Sequence, residues 1–265
     1  WDRVVVVKYG GHAMTDETLK RQVMEDIVLL QLVGVKVVLV HGGGPEINAA
    51  LAKMGVESKF VNGLRVTDAE SMDVVQMVLA GKVNKSLVNL IGSIGGKAMG
   101  ICGIDGRMVE AKCKDPALGQ VGAITGVNTR PIYDLLDNGY IPVISSVACD
   151  AAGNVYNVNA DSMAAQISGA LGAECLISMT DVPGIMEDPG DISTLINAVD
   201  IGGAMELMRR GVVKGGMIPK VESCMEALLC GVKKVFILDG RVPHSILLEM
   251  LTDEGSGTMM IEELG

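Results

Sequence analysis

The sequence predicts an α/β fold, a three-layer sandwich in which helices cover both faces of a central, mostly parallel β-sheet. Three observations lead to this prediction. Apolar β-branched segments alternate along the chain with amphipathic segments of helical period, as in successive βαβ units. The first apolar segment lacks the polar alternation of a half-exposed strand, which is typical of a strand buried on both faces. Several of the apolar segments end in glycines or small polar residues.

The first half of the chain begins with the predicted strand 4–7, an unbroken run of valines. A helix follows from residue 15, and apolar residues spaced three or four apart give it one apolar face. Residues 67–70 have the Thr-x-x-Glu pattern of a capping box and predict the start of a long helix. The other elements expected here are a strand at 36–40, a helix beginning at Pro45, short strands between 98 and 126, a helix at 129–138 and a strand at 140–147.

The second half of the chain continues this alternation. An extended segment at 154–159 leads into a helix that Asp161 opens as a candidate N-cap. The remaining expected elements are a strand at 175–179, a helix at 216–229, a strand at 234–238, a helix at 243–251 and a strand at 258–261. We expect two closely packed lobes, residues 1–172 and 173–265, with the boundary near Gly172.

Composition limits the classes of function. The 265 residues are 49% hydrophobic and 20% charged, as in a compact globular protein and unlike a disordered one. The formal net charge of −10 argues against a nucleic-acid partner, which would need clustered lysine and arginine. No apolar run reaches membrane-spanning length and no signal-peptide pattern is found in these residues, so no membrane partner is expected. The six cysteines form no C-x-x-C pair, which indicates reduced thiols in an intracellular protein.

Three predicted strand ends are candidate binding turns. Residues 8–11, Lys-Tyr-Gly-Gly, offer backbone N–H groups and a lysine charge to a phosphate, or else form an ordinary tight turn. Residues 42–44 are three glycines that run into a helix N-terminus, where backbone donors and the helix dipole favour an anion over a flexible connector. Residues 180–184 form either a third site or a common Pro-Gly turn. None of them is a Walker A loop, because the chain holds no G-x-x-x-x-G-K-[ST].

Polar residues elsewhere add further candidates. Arg65, in a polar turn, can pair with a carboxylate in a bidentate manner, or it is a solvated surface residue. Asn157, Asn159 and Asp161 alternate along an extended segment and are expected to point to one side. Lys220 stands at a helix start, where a lysine is unfavourable unless an anion lies nearby.

Five of these segments, in this order, resemble the motifs of the amino acid kinase superfamily. They are Lys8-Tyr9-Gly10-Gly11, His41-Gly42-Gly43-Gly44-Pro45, Asn62-Gly63-Leu64-Arg65-Val66-Thr67-Asp68, Asn157-Val158-Asn159-Ala160-Asp161 and Gly215-Gly216-Met217-Ile218-Pro219-Lys220. The resemblance runs from Val4 to the C-terminus. The stretch 63–68 is similar to the branch that phosphorylates N-acetyl-L-glutamate in arginine biosynthesis, rather than to the branches acting on aspartate, uridylate or carbamate.

The resemblance implies that ATP, carrying Mg²⁺ on its phosphates, phosphorylates the side-chain carboxylate of N-acetyl-L-glutamate, with no metal site on the protein itself. It implies that Lys8 and Lys220 stabilise the transferring phosphoryl group and that Asp161 holds both lysines. The implied contacts with acetylglutamate are Gly43, Gly44, Arg65 and Asn157, and the backbone N–H groups of Gly10, Gly11 and Gly43 are implied to donate to phosphate oxygens. The implied nucleotide contacts are Gly10, Gly11, Thr180, Asp181, Gly184, Met186, Val213, Lys214 and Lys220. Acetylglutamate binding and dimerisation are expected in the N-terminal lobe, and ATP binding in the C-terminal lobe.

The C-terminal segments 244–249 and 252–258 either form a plain helix followed by an acidic turn or resemble the arginine site of the arginine-inhibited members of the same family. This resemblance implies an L-arginine site that includes His244, Glu254 and Gly257, and a homodimer that assembles into a hexamer when an N-terminal helix is present. Because the chain opens on Trp1, we expect such a segment to precede it, and we expect a cytoplasmic location with a plastid as the alternative.

Two other functions stay open. One is another enzyme of the superfamily with a different acceptor, and the other is a non-catalytic arginine-sensing domain. The presence of Lys8, Asp161 and Lys220 together favours an enzyme, because a sensor has no need of both lysines. The scarcity of histidine is no objection, because a carboxylate nucleophile is already ionised at neutral pH and needs no general base.

Overall fold

A computed structural model describes residues 3–61, 63–252 and 255–263 of the chain. The chain divides into two compact units, Trp1–Val37 with Ala164–Gly265, and Val38–Met163. Within the described ranges, no helix is both long and apolar enough to cross a membrane.

The elements follow the predicted alternation of strands and helices. The strands are β1 (Val4–Tyr9), β2 (Lys36–His41), β3 (Phe60–Val61), β4 (Leu64–Arg65), β5 (Ala98–Cys102), β6 (Val109–Cys113), β7 (Gly122–Val127), β8 (Ile141–Ser145), β9 (Val147–Cys149), β10 (Val155–Asn157), β11 (Cys175–Thr180), β12 (Ala198–Asp200), β13 (Lys234–Asp239) and β14 (Thr258–Ile261). The helices are α1 (Glu17–Leu32), α2 (Gly44–Lys53), α3 (Ala69–Gln76), α4 (Asn84–Ser93), α5 (Arg130–Asp137), α6 (Ala160–Ala170), α7 (Ile201–Arg209), α8 (Met217–Leu229) and α9 (Ser245–Leu251).

The first unit is built on strands in the order β12-β14-β13-β11-β1. β1 pairs in parallel with β11, and β11 with β13, whereas β13 and β14 are antiparallel. Every residue of β1 and β11 is buried, which explains their unbroken apolar character. Because β1 pairs with β11, the first 37 residues belong with the C-terminal part of the chain, so this division differs from the boundary expected near Gly172.

The second unit holds the parallel strands β2-β8-β5 and a four-stranded sheet in the order β10-β9-β6-β7. β3 and β4, each two residues long, pair in antiparallel fashion as a hairpin. A π-helical segment, Met77–Val83, joins α3 to α4, so that the two helices and this segment run on without a break. This long helix contacts β5 and β8 through α4.

The start of α3 differs from the prediction. Asp68 is the N-cap, since its carboxylate accepts a hydrogen bond from the Ser71 amide at 2.8 Å. The Thr67 hydroxyl instead donates to the Arg65 carbonyl at 2.9 Å. The capping box predicted from Thr67 and Glu70 is therefore wrong, because the threonine is committed to the preceding turn.

The predicted fold class is confirmed, since mostly parallel strands covered by helices make up the α/β architecture. The structure adds elements that the sequence did not predict, namely the β3–β4 hairpin, β12, α7 and the π-helical segment. It also splits the predicted strand 140–147 into β8 and β9.

Candidate active site

In the first unit, the carboxyl ends of three neighbouring strands meet at one edge of the sheet. Lys8 of β1 is paired with Ser178 of β11, and Thr180 at the end of β11 is paired with Asp239 at the end of β13. Open α/β sheets bind ligands at this edge. The register therefore brings together five of the predicted residues, Lys8, Gly10, Gly11, Thr180 and Asp181.

Lys8 is a buried lysine whose side chain lies over the glycine turn. It is 5% exposed, and its Nζ lies 3.1 Å from the position that a Cβ on residue 10 would take. A Cβ at residue 10 would therefore press on the ammonium group, which would have to shift by a few tenths of an ångström. Gly11 has a φ of +73°, in the left-handed region that favours glycine. The turn thus combines a positive charge with a backbone that an anion can approach closely.

The segment after β11 lines a cavity of about 190 Å³ in the same unit. Four of the predicted nucleotide contacts line it: Gly184, Met186, Val213 and Lys214. Pro189 and Met217 also line it and were not predicted. The walls are mainly aliphatic or thioether groups with one lysine, which suits a flat heterocycle bearing a charged tail.

Gly184 sets the shape of the turn beside this cavity. Its φ is +152°, and a Cβ at this position would lie 2.5 Å from the Thr258 hydroxyl oxygen. That hydroxyl accepts a hydrogen bond from the Ile185 amide at 2.8 Å. The turn is therefore attached to β14, and only glycine fits there without a shift.

The N-terminus of α8 carries Lys220. The helix begins at Met217 after Gly216, with no side-chain cap and no acidic residue in its first turn. The helix dipole makes this end partly positive, and the Lys220 ammonium adds a full charge. Since Met217 also lines the cavity, this positive end lies beside it, which favours a phosphate chain there.

In the second unit, the three glycines connect β2 to α2. α2 begins at Gly44, and Pro45 occupies its first turn. A Cβ on Gly43 would lie 2.7 Å from Leu79 Cδ2 and 3.3 Å from Val83 Cγ2, both in the π-helical segment. A side chain at residue 43 would therefore push the methyl groups of Leu79 and Val83 aside, whereas glycine leaves them in place.

Arg65 is a buried guanidinium in this unit. It is 7% exposed, donates to the Ser58 hydroxyl at 2.7 Å and to the Gly44 carbonyl at 3.4 Å, and lies 4.7 Å from the centre of the Phe60 ring. It forms no ion pair with a carboxylate of the described residues. Desolvation lowers its pKa from the usual value. The interpretation of Arg65 as a solvated surface residue is therefore wrong.

Hydrogen bonds link Arg65 to the other predicted acceptor residues. The Arg65 carbonyl accepts from the Thr67 hydroxyl, whose oxygen in turn accepts from Asn157 Nδ2 at 3.2 Å. Through its guanidinium, Arg65 also reaches the carbonyl of Gly44. Gly44, Arg65 and Asn157 are thus held in one network of the second unit, with Thr67 as a member that the sequence did not predict.

Asp161 is partly buried and lies in the first turn of α6. It is not the N-cap, because Asn159 Oδ1 accepts from the amides of Asp161 at 2.8 Å and Ser162 at 3.2 Å. Asn157, Asn159 and Asp161 were expected to alternate along one extended segment. That segment ends at Asn159, because α6 begins at Ala160. Lys8 and Lys220 belong to the first unit and Asp161 to the second, and the role of Asp161 in holding both lysines stays a prediction.

Two of the predicted regulatory residues, His244 and Gly257, lie respectively before α9 and beside Ser256, whose hydroxyl donates to the Ser245 carbonyl. His244, with a left-handed φ of +55°, precedes the helix, and its Nδ1 lies 2.6 Å from the carboxylate of Asp26 in α1. Burial raises the pKa of Asp26, and the His244 contact works against that rise. Gly257 is required by packing, since a Cβ there would collide with the Ile237 carbonyl. Glu254 lies outside the described residues.

Comparison with known proteins gives consistent matches. Residues 3–239 match the amino acid kinase family. The acetylglutamate kinase of Thermosynechococcus vestitus is 56% identical over 260 residues, which cover 98% of this chain and 88% of that protein. The acetylglutamate kinase of Nostoc sp. is 55% identical with the same coverage of both chains.

Solved structures share the fold. The smu.665 protein of Streptococcus mutans superposes with a TM-score of 0.83 at 30% identity, covering 98% of this chain and 99% of that one. The N-acetylglutamate synthase of Neisseria gonorrhoeae, in complex with coenzyme A and N-acetyl-glutamate, gives 0.86 at 24% identity, covering 99% of this chain and 60% of that one. The second likeness concerns the fold alone. With a family match from residue 3 to residue 239 and relatives of more than 50% identity over almost its whole length, the chain belongs to the amino acid kinase family and, within it, to the acetylglutamate kinases.

Proposed function

We propose that this chain transfers the γ-phosphoryl group of ATP to the side-chain carboxylate of N-acetyl-L-glutamate, giving N-acetyl-L-glutamyl 5-phosphate and ADP. The observation that carries the choice of acceptor is the buried Arg65, which has no carboxylate partner among the described residues. Relatives of 53–56% identity that bear the name acetylglutamate kinase support the same acceptor.

A buried guanidinium without an acidic partner favours an anionic ligand. Taking such a charge out of water costs several kcal/mol unless an opposite charge compensates it. The planar fork of Arg65 matches the two oxygens of a carboxylate, and acetylglutamate brings an α-carboxylate to this position. Gly44 and Asn157, held in the same network, supply a polar frame for the rest of the acceptor.

The nucleotide residues all fall in the first unit. A cavity of about 190 Å³ is smaller than the roughly 300–1,000 Å³ of pockets that enclose a whole drug-sized ligand, so it suits the base of ATP. The phosphates, with their Mg²⁺, then extend along the positive N-terminus of α8 to the turn at Gly10 and Gly11.

The chemistry is phosphoryl transfer between two anions. The acceptor carboxylate is ionised at neutral pH, so its attack needs no proton transfer. The obstacle is charge repulsion, which the ammonium groups of Lys8 and Lys220 and the glycine amides offset. By the family resemblance, Asp161 would orient both lysine ammonium groups during transfer, and that role stays a prediction.

The decisive assay follows ADP release from ATP and Mg²⁺ with and without N-acetyl-L-glutamate, while hydroxylamine traps an acyl phosphate. ADP and a hydroxamate that both depend on acetylglutamate would support the proposal. Lys8→Ala should lower turnover on the order of 10²-fold or more, as for loss of one preorganised donor. A folded protein that is inactive with acetylglutamate but active on another acceptor would identify a different enzyme of the family. A folded protein that binds arginine without turnover would identify a sensor.

We also propose L-arginine as an inhibitor of this enzyme. The support is local: His244 and Gly257 lie at the start of α9 and in the segment packed against it, where Ser256 Oγ donates to the Ser245 carbonyl at 3.2 Å. The test is inhibition of acetylglutamate-dependent turnover by L-arginine but not by L-lysine. Uninhibited turnover at millimolar arginine would contradict it.

A further inference from the structure

His41, the last residue of β2, is a fully buried histidine with no role in the reaction described above. Its Nδ1 lies 2.8 Å from the carbonyl oxygen of Gly42, the first residue of the glycine loop. Its Nε2 lies 3.1 Å from Nδ2 of Asn84, which is 1% exposed and begins α4 directly after the π-helical segment. Both ring nitrogens are thus engaged, one by the loop and one by the helix.

The surroundings of Asn84 determine which ring nitrogen carries the proton. Asn84 Nδ2 lies 2.8 Å from the Val143 carbonyl, and its Oδ1 lies 3.1 Å from the ammonium of Lys85. The amide nitrogen must therefore face the carbonyl and the imidazole, and the amide oxygen must face the lysine. Since Asn84 donates to Nε2, that nitrogen is unprotonated, and the proton on Nδ1 is donated to Gly42.

The ring stays neutral in the folded protein. Burial lowers the pKa of His41 to about 4, and the charge of Lys85 acts in the same direction. A neutral ring with a single N–H has one hydrogen bond to give, and the structure directs it at the loop.

Holding the Gly42 carbonyl also fixes the next amide. The C=O of Gly42 and the N–H of Gly43 belong to one trans peptide group and point in opposite directions. With the carbonyl held towards the ring, the Gly43 N–H points away from it. Leu79 and Val83 pack against the Gly43 Cα from the π-helical segment, which further limits the loop.

We propose that His41 is a positioning residue whose Nδ1–H locks the Gly42–Gly43 peptide, so that the Gly43 N–H is presented to the transferring phosphoryl group, and that Asn84 selects the tautomer required. The inference rests on the proposed function, because that function supplies the phosphoryl group. Three consecutive glycines would otherwise sample many backbone conformations, and a donor that must reorganise stabilises a transition state poorly.

The test compares His41→Leu with His41→Asn in the complete chain. Leucine removes the donor, whereas the asparagine Nδ2 takes the place of the imidazole Nδ1 and can donate to Gly42. We expect His41→Leu to lower kcat on the order of 10²-fold with KM for both substrates within about threefold, since the lost interaction acts in the transition state. His41→Asn should recover activity to within about tenfold of the wild type. Leu87→Ala, a buried change in α4 at a side chain that makes none of the hydrogen bonds to His41 or Gly42, is the matched control that lowers stability and leaves kcat unchanged.

A folded His41→Leu enzyme with wild-type kcat would overturn the proposal, and so would equal losses in the leucine and asparagine variants. If His41→Leu does not fold, the proposal is tested by the kcat of His41→Asn and by the tautomer of the His41 ring in the wild type. ¹⁵N NMR at pH 7 should show His41 protonated at Nδ1 and bare at Nε2, and the reverse assignment would refute the lock. Because the tautomer needs no turnover, an inactive wild type would reject the proposed function while NMR still tests the inference.

Discussion

At the residue scale, Arg65 shows how a ligand site is built at the expense of stability. Its guanidinium contacts a serine hydroxyl, a backbone carbonyl and the Phe60 ring, which bring partial charges but no full negative charge. Neutral partners of this kind do not fully compensate a desolvated cation. In the free protein the positive charge of Arg65 is therefore not fully compensated, and the carboxylate of bound acetylglutamate compensates it.

This leads to a prediction for Arg65→Met. Acetylglutamate should bind at least tenfold more weakly, because truncating one member of a buried charge pair costs roughly 2–5 kcal/mol, while KM for ATP stays unchanged. The unfolding free energy of the free protein should stay equal or rise, because the desolvated charge is removed. Steady-state kinetics and urea unfolding measure the two effects. A loss of stability above about 2 kcal/mol with unchanged acetylglutamate affinity would contradict the role of Arg65.

His41 gives a second prediction at this scale, on pH. Its pKa is about 4 in the folded protein against a usual 6.5, so the unfolded chain binds a proton more readily between these values. Stability from this residue is therefore complete above pH 6.5 and is lost as pH falls towards 4, by about 3 kcal/mol. Urea unfolding of wild type and His41→Asn at pH 7 and pH 4 isolates this contribution, because the carboxylates titrate alike in both. If the unfolding free energies of wild type and His41→Asn change equally between pH 7 and pH 4, His41 is not held neutral.

At the element scale, the turns between elements carry the chemistry, and adjacent residues in one turn have separate tasks. Asp68 caps α3, whereas Thr67, one residue earlier, joins Arg65 to Asn157. The residue that caps α3 and the residue that links Arg65 to Asn157 are therefore joined by one peptide bond. A substitution at either position affects one task and leaves the other largely intact.

We predict that Asp68→Ala changes stability alone and that Thr67→Val changes the binding of acetylglutamate. Loss of the Asp68 cap should lower the unfolding free energy by about 1 kcal/mol with kinetics unchanged. Loss of the Thr67 hydroxyl removes the oxygen to which Asn157 Nδ2 donates its hydrogen bond, and should raise KM for acetylglutamate several-fold. Denaturation and steady-state kinetics on both variants check this pair. If Asp68→Ala changes KM as much as Thr67→Val does, the two tasks are not separate.

How far the sequence predicts these elements depends on the range of the interactions involved. The glycine turns at 8–11 and 42–44 follow from local backbone chemistry and lie at strand ends as predicted. The contact between His41 and Asn84 joins residues 43 positions apart, and no local pattern marks it. Thr67 was assigned to a capping box because the Thr-x-x-Glu spacing is local, while its actual partner Asn157 is 90 positions away. Pro189 and Met217 were likewise missed, because only the folded chain brings their segments to one cavity.

At the scale of the whole molecule, the two sets of ligand residues fall in different compact units. The acceptor residues Gly43, Gly44, Arg65 and Asn157 belong to Val38–Met163, and the cavity residues all belong to the other unit. Each substrate therefore reports on a separate part of the chain. A ligand that binds only the folded state stabilises it by mass action, about 2.7 kcal/mol at one hundred times its Kd.

The last prediction uses this separation. In the wild type, acetylglutamate alone and ATP with Mg²⁺ alone should each raise Tm by several degrees at saturating concentration. Arg65→Met should lose the acetylglutamate shift and keep the ATP shift. Met217→Trp, which places a larger side chain at the wall of the 190 Å³ cavity, should lose the ATP shift and keep the acetylglutamate shift. Differential scanning fluorimetry of the three proteins measures all six shifts. Loss of both shifts in either folded variant would mean that the acceptor and nucleotide residues have been assigned to the wrong ligands.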